Sequence, residues 1–318
     1  MPSCKSASRI LASFLAGRSI LPKMTGLSKL HIWFLAIRPK TLPASVAPVL
    51  IGTAMAFADG LGHWPTAVIA LLCGLLVQTL TNLINDYYDF KKGVDTSARI
   101  GPVRVMQAGL LSSSEMKFGI RIVLVLLIIG CFYMIGRAGW PVVAIGLVSI
   151  LLAYGYTAGP LPLASLGLGE IFVLIFFGPV AVGGTYFVQS LEINPVVLAA
   201  GLAPGLISVG ILAVNNLRDI ETDKNAKKRT LAVRFGRNFA AFEYFLVVAM
   251  ASVIPFFIYQ FTGEKNYSVV ASLVIFAFYK PLKAVFTKSD GPSLNKVLAQ
   301  TGMLLLLYSI VFSISWIL

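Results

Sequence analysis

The chain has 318 residues, 57% of them hydrophobic and only 12% charged, with a mean hydropathy of +0.84, far more apolar than a soluble domain of that length. Its formal charge of +13 would suit a nucleic-acid binder only if the basic residues gathered on a polar, solvated domain, and no such domain is visible. Composition therefore points to an integral membrane protein, argues against a nucleic-acid partner, and leaves the positive charge for topology to explain.

Residues 1–30 carry Lys5, Arg9, Arg18, Lys23 and Lys29 without an acid, which fits a basic cytoplasmic tail or an organelle transit peptide, with Met24 as an alternative start. Residues 31–318 read as a single membrane domain. Apolar runs of about the bilayer-spanning length, roughly 20 residues, recur through it. They fall near 32–58, 64–89, 117–136, 140–157, 170–189, 195–217, 239–260, 267–286 and 297–317. The expected fold is all-α, with about nine transmembrane helices around a central cavity open to the cytoplasmic side. Pro39, Pro43 and Pro48 predict that the first run is kinked or starts at the membrane interface. In the fifth, Gly178, Pro179, Gly183 and Gly184 predict close helix packing or a bend. Cys4, Cys73 and Cys131 are scattered without metal-ligand spacing, and His31 and His63 stand alone near span edges.

Basic residues set the orientation. With the N-terminus cytoplasmic, 24 of the 26 Lys and Arg fall on one side, and Arg137 and Lys265 remain outside. A missed or invented span would scramble so lopsided a partition. It predicts a multi-pass protein of a bacterial inner membrane; the acid-free N-terminus keeps a plastid membrane as the alternative.

Two acidic clusters interrupt this pattern. At the end of the second run, Asn82, Asn85, Asp86 and Asp89 stand at i, i+3, i+4 and i+7, one helical face, after which Gly93 breaks the helix and Asp95 can fold back. At the end of the sixth, Asn215, Asp219 and Asp223 stand at i, i+4 and i+8 beside Asn216, Arg218 and Glu221. Both end even-numbered helices and so open on the same side. Carboxylates in membrane spans are costly and mark functional sites by default.

Two such oxygen-rich sets suit Mg²⁺, which prefers oxygen ligands, keeps water, and uses one or two carboxylates together with substrate phosphates. Arg104, Lys224, Lys228 and Arg229 lie in the same two loops and would neutralise diphosphate oxygens, whereas Arg218 is placed to pair with Asp219 or Asp223. A diphosphate held at a membrane-embedded metal cluster implies a lipid tail, as in a polyprenyl diphosphate. Tyr87, Tyr88, Tyr154 and Tyr156 offer π-faces for any carbocation formed when the diphosphate leaves.

Asn85-Asp86-x-x-Asp89 with Asp95, together with Asn215-Asn216-x-Arg218-Asp219-x-x-x-Asp223, resembles the two aspartate-rich motifs of the UbiA-type aromatic prenyltransferase family. The likeness covers nearly the whole predicted membrane domain. It implies that Asn85, Asp89, Asp95, Asn215, Asp219 and Asp223 take the Mg²⁺-diphosphate role, with Asp86 on the same face at a position where the family varies. Asp89-Phe-Lys-Lys-Gly-Val-Asp95, Gly101-Pro102-Val103-Arg104, Gly167-Leu168-Gly169-Glu170 and Phe176-Phe177-Gly178-Pro179 are similar to the branch that prenylates 1,4-dihydroxy-2-naphthoate on the way to menaquinone. Glu170 stands where that branch often has Asp. The resemblance implies prenyl transfer from polyprenyl diphosphate to the naphthoate ring with loss of diphosphate and CO₂. Tyr88, Tyr154, Tyr156 and Glu170 would then line the substrate pocket. The alternatives are the same chemistry on 4-hydroxybenzoate or homogentisate, or, in another class, a membrane transporter.

Overall fold

The computed structural model describes residues 27–93, 101, 103–155, 163–263 and 266–318, and no β-strand occurs among them. Asp95 and Tyr156 lie outside the described residues. Helix α1 (Lys29–Ile37) begins at Ser28, whose hydroxyl accepts from the His31 N–H. It stops at Arg38, and a short 3-10 turn, Pro39–Thr41, leads into α2 (Pro43–Ala58). The two meet at 57°, the kink the prolines predict. Next come α3 (Trp64–Lys91), α4 (Ser113–Ala138), which opens with a reciprocal Ser112–Glu115 capping box, and α5 (Trp140–Gly155). A broken span follows, made of α6 (Gly169–Ile175), a π-turn at Phe176–Val180, and α7 (Ala181–Ser190). The chain ends with α8 (Pro195–Arg218), a short α9 (Ile220–Asn225), α10 (Leu231–Thr262), a 3-10 stretch Asn266–Phe278 running into α11 (Tyr279–Thr287), and α12 (Gly291–Ile317).

Among the described residues seven helices are long and apolar enough to cross a membrane, and the bent α1–α2 pair makes an eighth. Helix α5 is apolar, and its 16 described residues cover about 24 Å at 1.5 Å per residue; residues 156–162 after it lie outside the described ones. The protein is a multi-pass, all-helical membrane protein. Large apolar side chains such as Phe118, Phe132, Trp140, Phe256 and Phe276 cover its outside, as lipid contact demands.

The main core joins α2, α8, α10 and α12 through Ile51, Met55, Ile207, Tyr244, Leu294, Leu305 and Phe312. Within it the Tyr244 and Thr301 hydroxyls are hydrogen bonded at 2.8 Å. In lipid the hydrophobic effect does not drive helices together, so close van der Waals contact must. The π-turn supplies it. A Cβ on Gly201 of α8 would lie 2.8 Å from the Pro179 backbone, and one on Gly205 would lie 2.5 Å from the Leu174 carbonyl. Gly178 sits in the same crossing, so backbone meets backbone between the broken span and α8.

A second, smaller cluster packs α1 against the end of α3, the loop after it, and the start of α4, with Ile32, Ala36, Leu83, Val105, Met106, Leu111 and Met116 buried together. The far end of the bundle is held by polar contacts. His63 caps α3 by accepting from the Thr66 N–H, Tyr186 donates to Asp59 at 2.8 Å, and Arg137 donates to the Gln189 carbonyl at 3.1 Å. Gly201→Ala should therefore force α8 off the π-turn and destabilise the folded protein by about 1–3 kcal/mol, read as a lower melting temperature in detergent, while Gly184→Ala, which meets nothing within 4 Å, should not.

Candidate active site: two acidic helix ends at one pole of the bundle

The two acidic motifs end different helices, and a chain of contacts brings those ends to the same pole. Asn82 of α3 donates through Nδ2 to the Ile37 carbonyl at 2.8 Å and to Thr41 Oγ1 at 2.9 Å, and Gln78 reaches the same hydroxyl at 3.3 Å. The acidic end of α3 is thereby tied to the α1–α2 break. On its other side that break meets α12, where a Cβ on Gly302 would lie 3.3 Å from the Lys40 carbonyl. Two turns nearer its start, α12 places Asn295 Oδ1 2.7 Å from Arg218 Nη1, at the acidic end of α8. Helix α2 packs against both α3 and α8.

In the first motif the predicted face is real and its members divide the work. Asn82 makes the structural tie just described. Asp86, buried, accepts from the Val105 N–H at 3.1 Å. Asp89, also buried, receives Arg104 Nη2 at 2.8 Å. These bonds fold the post-motif loop back over the helix, and the α1 cluster holds it there through Val105 and Met106. Gly93 ends the helix with φ of 65°, a left-handed turn that suits glycine, so the predicted break is present. Asn85 lies half-buried beside them.

In the second motif α8 stops at Arg218 and α9 begins at Ile220, but the i→i−4 ladder crosses the break: Asp219 N–H donates to Asn215 O at 3.1 Å and Asp223 N–H to Asp219 O at 2.8 Å. Asn215, Asp219 and Asp223 therefore keep the helical spacing the sequence predicts. Arg218 takes the first of its two predicted partners. Its Nε and Nη2 grip both Asp219 oxygens at 2.8 and 2.5 Å, and Nη2 also reaches Asn215 Oδ1 at 2.8 Å. Lys228 pairs with Asp223 at 3.2 Å, and Lys224 and Arg229 are exposed beside them. Among the described residues no three His, Cys, Asp or Glu side chains converge on one point; instead Asp89, Asp219 and Asp223 each meet a cation.

The predicted pocket residues fall into two groups. Glu170, buried in the first turn of α6, accepts from Asn216 Nδ2 at 3.0 Å, a bond that takes up one of the two amide hydrogens of Asn216 beside the second motif. Tyr88 and Tyr154 form an edge-to-face pair with centroids 5.3 Å apart, and Tyr88 packs with Leu80, Ile84 and Leu127 on the side of α3 that faces α4 and α5. Lys117 lies over the neighbouring Tyr87 ring at 5.7 Å.

Hydropathy alone does not mark Asn295, because the last apolar run begins at 297 and leaves it in the loop before. The signal was present in Asp290-Gly291-Pro292, an N-cap followed by a first-turn proline. Asp290 accepts from the Ser293 N–H at 2.9 Å, and that bond holds its carboxyl below the usual range. No periodicity marks Arg234, whose guanidinium donates to the Leu166 carbonyl at 2.7 Å, just before Glu170.

Known proteins resemble this chain in sequence and in fold. The chain matches the UbiA prenyltransferase family over residues 45–310 and belongs to it. It is therefore an enzyme that transfers prenyl groups. Two relatives named 1,4-dihydroxy-2-naphthoate octaprenyltransferase are similar along nearly their whole length. The Haemophilus influenzae protein is 34% identical, covering 90% of this chain and 96% of its own, and the Escherichia coli protein is 33% identical, covering 90% and 95%. Among solved structures, a UbiA homolog from Archaeoglobus fulgidus, bound to GPP and Mg²⁺, shares the fold at a TM-score of 0.64 and 17% identity, covering 90% of this chain and 99% of its own.

Removing one partner of a buried ion pair leaves the other charge stranded, a loss of about 3–5 kcal/mol. Arg104→Ala should accordingly lower the unfolding temperature markedly, with Arg104→Ala/Asp89→Asn recovering part of the loss, as measured by thermal unfolding of the purified protein in detergent.

Proposed function

We propose that this enzyme transfers a polyprenyl group from polyprenyl diphosphate to 1,4-dihydroxy-2-naphthoate, releasing diphosphate and CO₂ and giving the precursor of demethylmenaquinone. The observation that carries the reading is the chain of contacts, through the α1–α2 break and α12, that links two acidic helix ends at one pole of an apolar bundle. The naphthoate acceptor is supported by the names of the relatives, which align over nearly their full length. A bacterial inner membrane with the N-terminus cytoplasmic, residues 1–30 as a basic tail and 31–318 as the membrane domain complete the reading.

The donor set fits Mg²⁺. Each motif contributes two described carboxylates and an amide, Asp86, Asp89 and Asn85 on one side and Asp219, Asp223 and Asn215 on the other, with Asp95 assigned to the first. Bound Mg²⁺ supplies positive charge that stabilises the departing diphosphate. Around it, Lys224, Lys228, Arg229, Arg104 and the Asn216 amide are assigned to the phosphate oxygens. Arg104 and Lys228 already lie on Asp89 and Asp223, so they neutralise the acids before substrate arrives and share phosphate afterwards.

The allylic C–O bond breaks with its electron pair leaving on the diphosphate. The ring carbon that bears the naphthoate carboxylate bonds to the prenyl carbon. The C–CO₂ bond then breaks, its electrons restore aromaticity, and CO₂ departs, so no base on a ring C–H is required. Tyr88, Tyr154 and Tyr156 are assigned to shielding the cation, and Glu170 to the acceptor side of the pocket.

Membranes holding the enzyme should convert radiolabelled polyprenyl diphosphate and 1,4-dihydroxy-2-naphthoate to prenylated product with CO₂ release, dependent on Mg²⁺ and stopped by a chelator. Product only with 4-hydroxybenzoate or homogentisate would overturn the acceptor. Accumulation of unmodified substrate in vesicles would overturn the chemistry. Asp89→Asn and Asp219→Asn should each abolish turnover while the protein remains in the membrane; near-wild-type rates in both would remove the site assignment.

A further inference from the structure

Arg218 has little left to offer a substrate. Its Nε, Nη1 and Nη2 are engaged by Asp219, Asn295 and Asn215, and its side chain is 1% exposed. A guanidinium held this way orients its partners. The fork grips both Asp219 oxygens and so fixes the plane of that carboxylate. What fixes the fork is the open question.

Asn215 and Asp219 cannot do so alone, because both lie within four residues of Arg218 on the same helix end and would move with it. Asn295 is the contact from outside, 77 residues away on α12. It has a rigid footing. Asp290 caps the helix, Pro292 fills its first turn, and Leu294, Val297 and Leu298 on either side of Asn295 are buried in the main core. The bond also has a defined polarity: Nη1 donates and the Asn295 carbonyl oxygen accepts, so the position requires an acceptor and not merely a polar side chain.

We infer that Asn295 is a positioning residue of the prenyl-transfer site: through the Arg218 fork it sets the orientation of the Asp219 carboxylate toward the metal–diphosphate group. The inference rests on the metal reading of the second motif given above. It makes α12, which carries no acid of either motif, part of the site. Partners that orient a metal ligand from behind typically change metal affinity by roughly 10- to 100-fold when lost.

The test is Mn²⁺ binding, followed by electron paramagnetic resonance, to the purified full-length protein in detergent with a non-hydrolysable prenyl thiodiphosphate present. Asn295→Leu, which keeps the number and branching of the side-chain heavy atoms and removes the acceptor, should weaken Mn²⁺ binding roughly 10-fold or more. Asn295→Asp, which restores an acceptor, should bring it back toward wild type, and in turnover the Leu variant should need more Mg²⁺ for half-maximal rate at an unchanged KM for the aromatic acceptor. If the Leu variant unfolds, Asn295→Gln, which displaces the acceptor by one methylene, carries the same expectation. Wild-type affinity in the Leu variant, or a loss that Asp does not repair, would overturn the positioning role and leave the proposed reaction intact. A wild-type protein that binds no Mn²⁺ would overturn the metal reading and this inference with it.

Discussion

Carboxylates at the end of a membrane helix need countercharge, and the rest of this site is arranged around that need. Asp89 and Asp219 are both buried, and burying an isolated carboxylate carries a penalty of several kcal/mol unless it is paired. The chain meets the requirement with arginine in both motifs, Arg104 from the following loop and Arg218 from the preceding residue. Each pairing also fixes geometry. Arg104, with the Asp86–Val105 bond, folds a loop over the first acidic face, and Arg218 joins the second face to α12. The same acids that would hold a cation–diphosphate group thus organise their own surroundings.

The scaffold supplies what the charges cannot. Between α8 and the broken span, glycines let backbones touch, which gives close contact where lipid provides no hydrophobic drive. A proline-rich break between α1 and α2 leaves the Ile37 carbonyl and Thr41 hydroxyl for Asn82, so a kink becomes a tie between helices. Irregular backbone in a membrane protein is tolerated where neighbouring groups satisfy it, and both breaks lie where α3 or α8 can do so. The two motifs therefore reach one pole through α2 and α12, which hold no motif acid.

Much of this was legible in the sequence because membrane constraints are blunt. Apolar runs and proline positions marked the helices, and the predicted runs fall on helical backbone where they are described, apart from the breaks at Arg38 and Leu42 in the first and Gly178 in the fifth. Spacing alone put Asp86 with Asp89, and Asn215 with Asp219 and Asp223, on common faces. What spacing could not show was which partner each polar group takes. Asn82 shares the face of Asp89 yet bonds to α1, Asn216 turns to Glu170, and Tyr88 packs toward α4 and α5. Asn295 escaped because its partner lies 77 residues away and its helix starts earlier than hydropathy suggested. Local patterns carry periodicity, whereas tertiary pairing between distant segments leaves no mark in either one alone.

In the proposed reaction the two acidic helix ends serve one shared diphosphate. Anomalous diffraction from crystals grown with Mn²⁺ and a non-hydrolysable prenyl thiodiphosphate tests it most directly. A single diphosphate with Mn²⁺ peaks between the Asp89 and Asp219 faces is expected, with loss of both metal and diphosphate density in an Asp219→Asn crystal. Diphosphate and Mn²⁺ bound on one motif alone, with the other acids still paired to Arg218 or Arg104, would contradict it.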